Sequence, residues 1–70
     1  MTTHLYHWRK WERRAETMLR NAEDLFSQTY DILGEDDLIV NKTDDTMGNI
    51  ELLVDSIQMR INAIKAKATQ

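Results

Sequence analysis

The chain has 70 residues, 41% of them apolar, and a net charge of −3. A domain of this length buries a thin core, and such chains are usually completed by disulfides, a metal or association with another chain. The absence of cysteine removes disulfides and thiolate metal sites, and it points to a cytoplasmic protein.

Long helices are expected. There is no proline, and the only glycines are Gly34 and Gly48, so little interrupts a helical backbone. The apolar residues are too frequent and too regular for a disordered chain. Residues 1–20 carry Arg9, Lys10, Glu12, Arg13 and Arg14 in quick succession and lack the apolar segment of a secretory leader. No window approaches the roughly 18 apolar residues of a membrane span.

In the first half, Trp8, Trp11, Ala15, Met18, Ala22, Leu25, Thr29 and Ile32 follow one another at alternating steps of three and four. That is the period of a helical packing seam. A flanking row at seven-residue steps, Leu5, Glu12, Leu19, Phe26 and Leu33, is apolar except at Glu12, and it widens the seam to the face of a bundle helix. Gly34 supplies a left-handed stop. The first helix is predicted over roughly residues 4–33.

In the second half, Met47, Ile50, Val54, Ile57, Ile61, Ile64 and Ala68 repeat the same steps. Asp44 and Asp45 suit a helix N-terminus, and Lys65 and Lys67 suit a C-terminus. The second helix is firm from about residue 44 to 67. Val40 and Thr43 extend its series backwards in phase, but residues 41–46 are polar and mostly poor helix formers. Either the helix begins near Asp37 or Leu38–Val40 forms an apolar turn; the longer helix is favoured. A turn at Gly34–Asp36 then sets Ile32 against Val40, Thr29 against Thr43, Ala22 against Ile50, Ala15 against Ile57 and Trp11 against Ile61. Small residues meet large ones in the middle layers, which suits a close-packed interior.

The expected architecture is an all-α antiparallel two-helix hairpin forming one domain over residues 1–70. Two helices cover one stripe of each other, and apolar side chains remain. The outer row of the second helix, Leu52, Ser56, Met59, Ala63 and Ala66, would lie in water in a lone hairpin. An aligned row of that kind suggests a contact. Pairing of two hairpins into a four-helix bundle is the economical answer. The residues expected to build the core and the assembly are Trp8, Trp11, Met18, Leu25, Phe26, Ile50, Val54, Ile57, Ile61 and Ile64.

Charge is sorted along the chain. Residues 1–20 hold five cations against Glu12 and Glu16, residues 56–70 hold Arg60, Lys65 and Lys67 with no acid, and residues 21–55 hold ten acids against Lys42. The hairpin therefore has a basic end at its termini and an acidic end at its turn. Tyr6, Trp8 and Trp11 stand among His4, His7, Arg9, Lys10, Arg13 and Arg14, and cations beside rings are the chemistry of nucleic-acid binding. Trp8 and Trp11 also fall on the seam, where their first use is to cap the core. The same cations and tryptophans would suit a membrane surface, but the seam turns that face toward the second helix.

Catalytic chemistry is not expected. His4 and His7 are spaced to share a metal, but two ligands do not make a structural site. Asp36–Asp37 and Asp44–Asp45 are adjacent pairs that suit caps, and Ser27 and Ser56 have no histidine base in reach. There is no phosphate loop and no calcium loop. No catalytic residue, cofactor, metal or small-molecule substrate is assigned. The expectation is a non-enzymatic protein–protein interaction module, a dimeric hairpin serving as adaptor, chaperone or inhibitor of a larger partner. Its candidate contacts are Leu52, Met59, Tyr6, Arg9, Lys10, Arg13 and Arg14. The alternative is a nucleic-acid-binding regulator using the basic aromatic end, against which the acidic net charge counts.

Overall fold

The periodic apolar rows have folded as helices. The computed structural model describes residues 2–68, with side chains from residues 5 to 67, and contains helix α1, Thr2–Leu33, and helix α2, Leu38–Ala68. The two pack along their length as a hairpin. Ala68, the last member of the second apolar series, has its side chain outside the described residues. The Cα atoms fill a rod of 52 × 14 × 11 Å with a radius of gyration of 15.9 Å, against about 11 Å for a globular chain of equal length.

The turn follows from two residues. Gly34 takes φ +85°, the left-handed conformation that a side chain disfavours, and its N–H donates to the Tyr30 carbonyl at 2.9 Å. This closes α1 as expected. Asp37 opens α2: its Oδ1 accepts the Ile39 N–H at 2.8 Å, and its carbonyl accepts the Asn41 N–H at 3.1 Å. A side-chain cap of this kind is worth about 1 kcal/mol. The longer second helix is therefore the observed one, and the cap falls to Asp37. Asp44 and Asp45, read as caps in the sequence, lie inside α2.

The polar start of α2 is held by its buried side. Val40 is 2% exposed and Thr43 is also buried. The Thr43 hydroxyl donates to the Ile39 carbonyl at 2.8 Å, so its burial leaves no unmet donor. Thr29 bonds the same way to Leu25 at 2.8 Å. Each threonine thus satisfies its hydroxyl within its own helix.

The α2 series is the one expected. Val40, Thr43, Ile50, Val54, Ile57 and Ile61 are buried, with Met47 and Ile64 half-buried. On α1 the seam differs. The covered stripe runs Leu5, Trp8, Glu12, Ala15, Leu19, Ala22, Phe26 and Thr29. Trp11, Met18 and Leu25 are 44, 50 and 50% exposed, and Ile32 is 82% exposed. The expected Ile32–Val40 layer therefore does not form. The physical reason is coverage. Helix α1 carries three apolar rows, one partner helix reaches about two, and α2 leans toward the row of Leu5, Leu19 and Phe26.

The core consists of Ala15, Ile50, Val54, Ile57 and Ile61, with Leu5, Trp8, Leu19 and Ala22 packed against it. Ala15 on α1 gives room for the isoleucines of α2, the small-against-large layering expected from the sequence.

The two glycines should respond oppositely to alanine. A Cβ on Gly48 meets nothing within 4 Å, and this glycine lies mid-helix, so Gly48→Ala should stabilise by about 0.5–1 kcal/mol. Gly34→Ala forces a side chain into positive φ and should destabilise by about 1–2 kcal/mol. Thermal melts followed by circular dichroism at equal chain concentration measure both; shifts of the same sign would contradict this turn.

Candidate interaction surfaces

The basic end is organised by a chain of rings. Tyr6 meets His7 edge-on at 5.6 Å between centroids. His7 stacks on Trp11 at 5.8 Å, and Trp11 meets Trp8 edge-on at 5.0 Å and 82°. These are favourable aromatic geometries. The His7–Trp11 and Trp8–Trp11 pairs arise because residues four and three apart share a helix face, whereas Tyr6 and His7 are chain neighbours. Trp8 is half-buried on the core, as expected, whereas Trp11 reaches the surface beside it.

Arg60 completes this end from the other helix. Its guanidinium carbon sits 5.2 Å from the Trp8 ring centroid, a cation–π distance. The sequence reading missed this residue. The expected register placed Arg60 about one turn further along α1, level with Glu12, so the signal lay in the register and the pairing did not.

Tyr6 stands exposed, and with Arg9, Lys10 and Arg13 it lines a shallow depression. A second depression is lined by Arg13, Arg14, Thr17 and Met18. Hence the predicted contacts at this end do come together, on the side of α1 turned away from α2. The His4 side chain lies outside the described residues, while His7 is held between Tyr6 and Trp11. Among the described residues no three potential metal ligands gather.

The outer row of α2 is a separate surface. Leu52 and Met59 are 66 and 72% exposed, and Leu38 continues the row toward the turn. Ser56, between them, donates its hydroxyl to the Leu52 carbonyl at 2.8 Å, which leaves the two apolar side chains as the prominent groups of that face. They lie on the other helix from the Tyr6 depression, so the predicted partner contacts form two patches.

Charge follows the hairpin. Antiparallel helices bring residues 5–20 beside the end of α2, where Lys65 and Lys67 occupy the last turn. The acids of residues 21–55 collect toward the turn. Among the described residues, no helix is long and apolar enough to cross a membrane. Comparison with known protein families, with characterised proteins and with solved structures returns no match.

The Arg60–Trp8 contact should be measurable. At a surface site it is worth about 0.5–1 kcal/mol, so Arg60→Ala should lower stability by that amount and alter tryptophan emission, with Arg60→Lys falling between. Urea unfolding read by fluorescence decides it; a silent Arg60→Ala would remove the contact from the account.

Proposed function

We propose that the protein is a non-enzymatic interaction module: a homodimeric helical hairpin that binds a larger protein as an adaptor, chaperone or inhibitor, in the cytoplasm that its cysteine-free composition favours. One observation carries this reading. The hairpin exposes apolar side chains in rows at helical spacing on both helices, with Leu38, Leu52 and Met59 most prominent on α2, while its buried core is only a few side chains wide. Aligned rows of this kind are the usual mark of a contact surface. The chemistry around them is apolar anchors and cations, the groups that dominate protein interfaces.

The test is a differential capture. Leu52→Asp with Met59→Asp leaves the hairpin core untouched and should retain full helicity. Affinity purification from source cells, comparing native and doubly substituted chains by quantitative mass spectrometry, should show a protein that only the native chain retains. Each lost anchor is expected to weaken binding about tenfold, which titration with the purified partner would measure. Equal capture by both chains would sink the Leu52–Met59 surface.

A second reading has its own observation. Tyr6, Arg9, Lys10 and Arg13 share one exposed depression, a ring beside cations on a surface that a single strand could follow. Oligonucleotide titration at two salt concentrations, read by tryptophan fluorescence, should then show binding that weakens as salt rises. Absence of binding at low salt excludes it.

A further inference from the structure

One broad face of the hairpin carries a second apolar surface. Trp11, Met18, Leu25 and Ile32 recur every seven residues along α1, and all are exposed. Leu25 lines a depression with Ala22, Ile39, Lys42, Thr43 and Thr46. This places the α1 row on the same face as the α2 row of Ile39, Thr46, Leu53 and Arg60, in which Ile39 and Leu53 are exposed. We infer that this face is covered by a second copy of the chain, related by a two-fold axis that runs across the helices. Helix α1 then lies antiparallel on α1 of the second copy, and each basic end lies on the other's acidic turn. The inference rests on the homodimer of the proposed function and adds its face and its orientation.

Area argues for an occupant of about this size. The hairpin exposes 5678 Å², whereas a folded monomer of 8.3 kDa exposes about 4,600 Å². The surplus of about 1,100 Å² compares with the roughly 800 Å² that each partner contributes to a standard interface.

Charge selects a second copy and its orientation. A two-fold axis in the interface plane can run along the helices or across them. The lengthwise axis stacks basic end on basic end, and the ten acids of residues 21–55 on ten more. The crosswise axis stacks opposite charges at both ends. The chain is thus complementary to itself only when reversed.

Register allows the crosswise axis to serve both helices at once. The α1 row has its midpoint between Met18 and Leu25, and the α2 row between Thr46 and Leu53. Thr46 lines the same depression as Ala22, so the two midpoints lie within about one helical turn of each other. Across the axis Met18 meets Leu25 of the second copy, Trp11 meets its Ile32, and Thr46 meets its Leu53. The Leu52–Met59 row and the Tyr6 depression stay outside the contact, free for a further partner.

A chain without cysteine makes the test direct. Single variants Met18→Cys, Leu25→Cys and Leu53→Cys are mixed in pairs, allowed to exchange and oxidised, and the products are run on non-reducing gels. The Met18→Cys and Leu25→Cys mixture should give covalent dimers that neither variant gives alone. Light scattering of the native chain should report a dimer. Met18→Glu with Leu25→Glu should lose that dimer, while Leu52→Asp with Met59→Asp should keep it. If the glutamate variant fails to fold, the cross-linking result still decides. A native monomer at all concentrations overturns the inference. So does cross-linking of Met18→Cys to Leu53→Cys in place of Leu25→Cys, which marks the lengthwise axis, and so does a dimer that survives both glutamates. Partner capture through Leu52 and Met59 is a separate measurement, so failure of the interaction reading and failure of this dimer are told apart.

Discussion

A helix with one neighbour can bury only one stripe of its surface, and this limit governs the molecule. Helix α1 carries three apolar rows and α2 can cover about two of them. The remainder, here Trp11, Met18, Leu25 and Ile32, is left uncovered because α2 leans toward the row of Leu5, Leu19 and Phe26. The core is correspondingly thin: no side chain among the described residues is fully buried, and the buried apolar residues are Ala15, Val40, Ile50, Val54, Ile57 and Ile61. A structure with so little interior and so regular an exterior has its remaining packing capacity on the outside.

The same limit explains what could and could not be read in advance. The hairpin was legible because its signals are local. Gly34 admits a left-handed φ, and alternating steps of three and four identify a helix without knowledge of its surroundings. The α2 series was legible too, since it offers one well-marked stripe of β-branched residues. The choice among α1's rows was not. Trp11 and Leu5 are equally apolar, and only the direction in which α2 leans separates them. That direction is a property of the pair. The start of α2 was obscured for a related reason: residues 41–46 are weak helix formers, and their helix is held by the burial of Val40 and Thr43, which is tertiary. Arg60 was missed because a cation–π contact between helices depends on register to within a turn. The exposed positions of Leu52 and Met59 were legible, since both lie on a row that no hairpin partner could reach.

Electrostatics must be read by end and not by total. The rod is 52 Å long, several times the Debye length of about 8 Å at physiological salt. A molecule approaching one end is therefore nearly blind to the charge at the other. The net charge of −3 describes neither surface that a partner would meet. For that reason an acidic total is weak evidence against anion binding at the termini, and the acidic turn can attract cations independently.

The arrangement of charge also works against the first helix. Cations stabilise a helix C-terminus and anions an N-terminus. Helix α1 has no acid in its first turn and no base in its last, and its last turn carries Asp31. Its basic residues Arg9, Lys10, Arg13 and Arg14 cluster toward the end where the dipole is already positive. Helix α2 follows the rule at its C-terminus through Lys65 and Lys67. An α1 built for stability alone would reverse its charges. Reversed, it would set its acids beside the cations that close α2 and dissolve the basic end. The observed order gives up some dipole energy in α1, and in return both helices contribute the same sign to each end of the rod. Self-complementarity between reversed copies and a basic, aromatic terminus follow from that one departure from the rule for helix charge.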